Sequence, residues 1–198
     1  MNPFRHQEAF MQPVPSIKSR PVYEDIGIDP AVQKHLFIAQ TGSFDKLAKI
    51  YQACPSDKSC WIVGDDTQES LPDNSRFVSQ DGINTVFGEQ FADLPISSHI
   101  YVAGQNESFL WDIHNLATRA GLASEQVKMF EPVTNQRRLF CTHCYTLTEG
   151  VTHSPYKCPG CGRLLLVRDH FSRIHAAYVG VIINAEDPND IPETEELS

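Results

Sequence analysis

Four cysteines stand in two pairs, Cys141-Thr142-His143-Cys144 and Cys158-Pro159-Gly160-Cys161. Each pair is a C-x2-C knuckle, and thirteen residues lie between the knuckles. Two intervening residues let a chain turn so that both sulfurs converge while backbone N–H groups point at them. Gly162, directly after the second knuckle, supplies the left-handed backbone that such a turn favours. The residues between the pairs read as hairpin-like and would hold the knuckles opposite each other. Four thiolates then surround one metal ion as a tetrahedron. Such a site has no open position for a substrate, so its role is structural if the ion is zinc. Iron in the same cage would carry electrons instead. Zinc is the expected metal and iron the alternative.

Other reactive side chains are scattered. His143 and His153 lie near the knuckles, but with four cysteines in register both are expected outside the ligand set. Arg168-Asp169-His170 could be taken for a catalytic Asp–His pair. Neighbours on a strand point to opposite faces, so a structural reading is preferred, with Arg168, Asp169 and Arg173 pairing with each other or with a partner. Cys60 opens an apolar run and reads as a small buried residue; Cys54 is the other cysteine outside the knuckles. No residue is assigned a catalytic role, and no cofactor-binding residue is identified from spacing.

The elements that must position the cysteines follow from periodicity. Residues 1–33 are rich in proline and polar groups and read as an extended N-terminal arm. Residues 34–132 read as an α/β domain. Leu36–Ala39 and Cys60–Val63 are short continuous apolar runs, as buried parallel strands are. Between them Phe44, Leu47, Ile50 and Tyr51 share a helical face, with Ser43 as the expected cap. Arg76–Val78 and Thr85–Phe87 are compatible with short strands. His99–Ala103 is a strand. A helix from about Glu107 to Ala120 follows, capped by Asn106 and closed by Gly121, with Phe109, Ile113, Leu116 and Ala117 on its apolar stripe. Val127–Phe130 is the closing strand. Strand, helix and strand at this spacing predict a mostly parallel sheet with flanking helices. Pro132 to Gln136 form a linker, and residues 137–183 form a small four-cysteine ribbon of the zinc-ribbon or rubredoxin-like kind.

Composition narrows the function. With 198 residues and 41% hydrophobic side chains, the chain can build one ordinary domain and a small one. The formal net charge of −9 argues against nucleic-acid phosphates as partners. Part of that charge sits in residues 184–198, an acidic stretch with no lysine or arginine that reads as a disordered or loosely docked tail. Residues 137–173 run the other way, with Arg137, Arg138, Lys157, Arg163, Arg168 and Arg173 against Glu149 and Asp169. That run is either a solvated surface or a contact face for an acidic partner. No apolar run reaches membrane-spanning length and no leader is evident, so a cytoplasmic protein without membrane contact is expected.

Residues 34–132 resemble the nicotinamide-nucleotide module of ferredoxin reductase–like proteins of the phthalate dioxygenase reductase type. The resemblance rests on Ile100-Tyr101-Val102-Ala103-Gly104-Gln105 and Val127-Lys128-Met129-Phe130-Glu131. Ala103 stands where that family has cysteine, Gln105 where it has proline, and Gln40-Thr41-Gly42 where it has a glycine pair. The resemblance implies a nucleotide-binding fold kept after its catalytic residues were lost. From about residue 34 to 190 the chain also resembles the dimethylamine monooxygenase subunit DmmA family. This rests on Cys141–Cys144, Leu147-Thr148-Glu149-Gly150-Val151, Cys158-Pro159-Gly160-Cys161-Gly162-Arg163 and Leu165–Arg173. That resemblance implies a non-catalytic or assembly subunit of a multi-component NADPH-dependent monooxygenase converting dimethylamine to methylamine and formaldehyde. Haem, FMN and 2Fe-2S centres are then expected on partner subunits. The alternatives are a rubredoxin-like iron electron carrier in such a complex and an autonomous NAD(P)H reductase.

Overall fold

The computed structural model describes residues 19–55, 57–64, 71–73, 75–187, 189 and 191–198. The first sheet is made of β1 (Lys34–Gln40), β2 (Asp57–Val63), β3 (Arg76–Val78), β4 (Ser98–Ala103) and β5 (Val127–Met129), in the order β3-β2-β1-β4-β5. Every pairing is parallel. The apolar runs sit at its centre: Phe37, Ile38, Ala39, Tyr101, Val102 and Ala103 are fully buried. A strand covered on both faces has no polar side, which is why these segments read as continuous rather than alternating.

Three helices cover the sheet. Helix α1 (Asp45–Ala53) packs Leu47 and Tyr51 against Phe37, Ile62 and Tyr101 on one face. Helices α2 (Ile83–Ala92) and α3 (Glu107–Arg119) pack on the other, around Ile38, Val63 and Val102. Two expectations are corrected here. Thr85–Phe87 is part of α2, not a strand. Ile83, Phe87 and Phe91 recur every four residues and are all buried, and that period outweighs the strand-like character of three residues. Ser43 does not cap α1 through its side chain. Its hydroxyl donates to the Gln40 carbonyl at 2.6 Å, and Phe44 holds the cap position. Asn106 does cap α3, its Oδ1 accepting from the Phe109 N–H at 3.0 Å.

The second sheet joins β6 (Arg137–Cys141), β7 (Leu147–Val151), β9 (Tyr156–Lys157), β10 (Leu164–Ser172) and β11 (Ala177–Ile182) in the order β7-β6-β11-β10-β9. All its pairings are antiparallel except β6 with β11. A two-residue strand β8 (His153–Ser154) pairs with β12 (Glu195–Glu196), so the acidic end of the chain is docked as a strand. The described part of the N-terminal arm is docked as well. Ser19 bridges to His170, Tyr23 packs on the α2/α3 side of the first sheet, and Ile26 and Ile28 pack on the α1 side. Residues 1–18 of that arm lie outside the described residues.

Helix α3 connects the two sheets. Phe109, Leu110, Ile113 and Ala117 belong to the first core, while Trp111 belongs to the core of the ribbon with Leu139, Phe171 and Tyr178. Asn115 donates to the Arg173 carbonyl at 2.8 Å, and the Arg173 guanidinium lies 5.1 Å from the Trp111 ring centre. Phe87 is fully buried and contacts both Trp61 and Phe91 as ring pairs. Phe87→Ala should lower unfolding free energy by about 3–5 kcal/mol in denaturant titration, the cost of a large core cavity. A loss below about 1 kcal/mol would contradict helical placement of residues 83–92.

Candidate metal centre

The two knuckles are built alike. Cys141 closes β6 and Cys158 follows β9, so each knuckle leaves a strand and is returned by the next one. In the first, the Cys141 N–H donates to the Thr146 carbonyl at 3.0 Å and the Tyr145 N–H donates to the Cys141 carbonyl at 2.9 Å. In the second, Cys158 N–H to Arg163 carbonyl and Gly162 N–H to Cys158 carbonyl repeat both bonds at 2.9 Å. The residue after each second cysteine is left-handed: Gly162 at φ 73° and Tyr145 at φ 63°. Gly162 was legible as such a residue. Tyr145 was not, because a tyrosine gives no sign of a conformation that costs L residues about 1–2 kcal/mol.

The four sulfurs converge. All lie within 4.8 Å of one another, with Cys141 to Cys161 at 3.9 Å and Cys144 to Cys158 at 3.6 Å. A tetrahedral ion with metal–sulfur bonds of about 2.3 Å needs sulfur separations of roughly 3.8 Å, so the cage has the right size for zinc or iron. Cys141 and Cys158 are buried, while Cys144 and Cys161 are partly open to solvent. The Thr146 hydroxyl lies 3.2 Å from Cys144 Sγ. That hydrogen bond, followed by the Thr146 backbone N–H, pulls the Cys144 thiol down to about 6. Burial pushes the Cys158 thiol up to about 11.

Gly160 is a packing requirement that spacing alone did not reveal. A Cβ there would stand 2.1 Å from Thr146 Oγ1 and 3.2 Å from Cys144 Sγ. His143 and His153 stay out of the cage. His143 Nδ1 lies 3.2 Å from the Arg163 guanidinium, and His153 sits beside the Tyr156 ring.

The remaining candidates are not brought together. Asp169 pairs with Arg137 at 2.9 Å. His170 Nδ1 instead meets the Ser19 hydroxyl at 2.8 Å. Arg138 is held by both Asp112 oxygens at 2.9 and 2.8 Å and also by Glu149. The basic run of residues 137–173 is therefore partly consumed inside the molecule. Cys60 and Cys54 are buried in the core beneath α1, and burial pushes the Cys60 thiol up to about 11, which keeps it protonated.

The strand order places a topological switch point between the ends of β1 and β4, where folds of this kind hold dinucleotides. Here the chain fills it. The Gln105 N–H donates to Gln40 Oε1 at 2.9 Å, and Gln105 Nε2 donates to the Thr41 carbonyl at 2.9 Å. The linker closes the same turn from above, Val133 N–H and Thr134 N–H donating to the Gly104 and Gln105 carbonyls. The Asn106 side chain occupies the Phe109 N–H, one of the groups at the start of α3 that could otherwise meet a phosphate. A cavity of about 360 Å³ remains beside the turn, but Asp112 and Glu149 line it, and its one guanidinium, Arg138, is already paired with both.

A five-stranded parallel α/β domain carrying a four-cysteine ribbon on one helix defines the class of protein. Residues 138–181 match the family model for the dimethylamine monooxygenase subunit DmmA-like C-terminal domain. Over 122 residues, 62% of this chain and 67% of the relative, the chain is 33% identical to the heme-dependent oxidative N-demethylase delta subunit of Ectopseudomonas mendocina (strain ymp). This chain belongs to the DmmA-like family of dimethylamine monooxygenase subunits. No solved structure matches it significantly. Among the described residues, no helix is long and apolar enough to cross a membrane.

Gly160→Ala should displace Thr146 and loosen the cage from the Cys144 side. Competition with a chromophoric chelator should show metal lost at least about tenfold more readily than from the natural protein, as expected when a group adjoining a ligand is disturbed. Unchanged metal retention would show that the knuckle tolerates a methyl group there.

Proposed function

We propose that this chain is a non-catalytic or assembly subunit of a multi-component, NADPH-dependent monooxygenase that N-demethylates dimethylamine, giving methylamine and formaldehyde. The observation that carries this reading is the closed crevice: Gln40, Gln105 and the linker occupy the place where a reductase of this topology would hold its nicotinamide. The relative's description as a subunit of a heme-dependent oxidative N-demethylase supports the kind of complex. Haem, FMN and 2Fe-2S centres then reside on partner subunits, as does the chemistry.

The four cysteines hold one zinc ion in this reading. Bound there, zinc ties the two knuckles together and supplies folding energy to a small sheet, on the order of 10 kcal/mol for structural sites of this kind. The chain's own residues do the rest. Thr146 holds the Cys144 sulfur, Gly160 keeps the knuckles close, and Trp111 seats the ribbon on α3. Iron is the second reading. It is favoured by one feature, the partial exposure of Cys144 and Cys161, which would bring an electron path to the surface.

Elemental analysis with a visible spectrum separates the two metals. One zinc per chain and no colour is the expected result. One iron with a thiolate charge-transfer band that bleaches on reduction would place this chain in the electron path.

Isothermal titration of the isolated chain with NADPH should show no binding at millimolar ligand, and affinity capture from its native host should bring down haem-containing and flavin-containing chains. Micromolar NADPH binding would overturn the closed-crevice argument. Capture of the chain alone, with every partner gene expressed, would overturn the assembly role.

A further inference from the structure

Strand β8 lies at the side of the ribbon, and its free edge is occupied by the chain's own tail. Glu195 pairs with Ser154, Glu196 pairs with His153, and the Leu197 N–H donates to the Thr152 carbonyl at 2.8 Å. This occupant is lightly held. Residues 191–198 are exposed except for Leu197, which rests partly on the ribbon core. Beneath the tail lies a cavity of about 560 Å³, floored by Leu166, Val167 and Val181 and flanked by Arg137 and Arg168. The tail covers this space without filling it.

Its charge chemistry is equally incomplete. Arg137 is only 4% exposed. Its Nη2 donates to Asp169 at 2.9 Å and to the Ser198 carbonyl at 3.2 Å. Its Nε and Nη1 make no hydrogen bond among the described residues, and the guanidinium lies over the Tyr178 ring, 4.2 Å from its centre. A buried guanidinium with unused donors asks for an acceptor, best an anionic one. Arg20 also donates to the Ser198 carbonyl, so two arginines converge on the end of the docked strand. The nearby carboxylates do not compete for a newcomer: Asp169 is engaged by Arg137, and Glu107 accepts from the Tyr178 hydroxyl.

We propose that the free edge of β8, with the apolar floor beneath it and Arg20, Arg137 and Arg168 around it, is a docking slot for an acidic, extended segment of a partner protein. The chain's own residues 195–198 are its exchangeable occupant. The segment adds as an antiparallel strand, so main-chain bonds set its register. An apolar side chain takes the place of Leu197, and an acidic side chain takes the place of the Ser198 oxygen on Arg20 and Arg137. A tail tethered in cis competes at an effective concentration in the millimolar range, so only a better-filling segment displaces it. The slot is defined by this chain alone and does not depend on which reaction its complex performs.

The test uses the full chain and a fluorescein-labelled octapeptide with the sequence of residues 191–198, followed by fluorescence anisotropy. The triple variant Glu195→Lys, Glu196→Lys and Leu197→Asp releases the resident tail. It should bind the probe at least about tenfold more tightly than the natural chain, since the competitor in cis is gone. Adding Arg168→Glu to that variant should weaken probe binding by about tenfold. A probe with the glutamates of positions 195 and 196 changed to glutamine should bind more weakly to every form. Circular dichroism and metal content, unchanged in the variants, show that the fold is intact. Equal probe binding to the natural chain and the triple variant would overturn the proposal, and so would no binding to an intact triple variant. A natural chain that sediments as a dimer and becomes a monomer in the triple variant would also overturn it, assigning the slot to a second copy. These outcomes are separate from capture of oxygenase subunits, which can fail while the slot binds its probe.

Discussion

The indole of Trp111 leaves the α/β domain and is buried among Leu139, Phe171 and Tyr178 of the ribbon. Everything distinctive about the molecule depends on that one seat. Helix α3 presents Phe109, Leu110, Ile113 and Ala117 to the parallel sheet and turns its other side to a second core. Polar clasps surround the indole: Glu107 with Tyr178, Asp112 with Arg138, and Asn115 with the Arg173 carbonyl. A partly shielded ion pair contributes little by itself, but these groups fix the orientation in which the apolar surfaces meet. The ribbon is therefore held in a set position rather than strung on a linker.

That seat explains the closed crevice. With the ribbon against α3, the linker must pass over the turn after β4, and its backbone N–H groups take the Gly104 and Gln105 carbonyls. The Gln40–Gln105 pair then satisfies the remaining polar groups from within. Buried amides need partners, and here the chain supplies them itself. The α/β domain thus serves as the platform for the ribbon. The tight backbone at Gly104, where a Cβ would stand 2.5 Å from the Phe109 ring, serves helix packing on that platform.

The ribbon is small, and its core is finished from three sources. The sulfur cage closes one part of it, Trp111 another, and the docked tail contributes Leu197. A domain of this size rarely buries enough apolar surface to fold unaided. Two of the three contributions come from outside residues 137–183; Trp111 is buried and Leu197 only partly so, so the ribbon's stability is bound chiefly to the α/β domain.

The sequence by itself determined the cysteine cage, the strand–helix order of the first domain, the Asn106 cap and the left-handed Gly162. Each is a local matter: two-residue knuckles, buried apolar runs and capping chemistry act over a few positions. Helix α2 was legible only over ten residues, through Ile83, Phe87 and Phe91; the shorter window of Thr85–Phe87 misled. Tertiary structure alone decided the rest. Trp111 lies outside the apolar stripe of α3, and what buries it lies in residues distant along the chain. The pairing of Asp169 with Arg137, the left-handed Tyr145, the fit of Gly160 against Thr146 and the strand made by the acidic tail are likewise non-local. Periodicity and motif spacing report how a segment meets its neighbours in sequence. Which distant surfaces satisfy a buried charge, or complete a core too small to close by itself, is settled only when the chain packs.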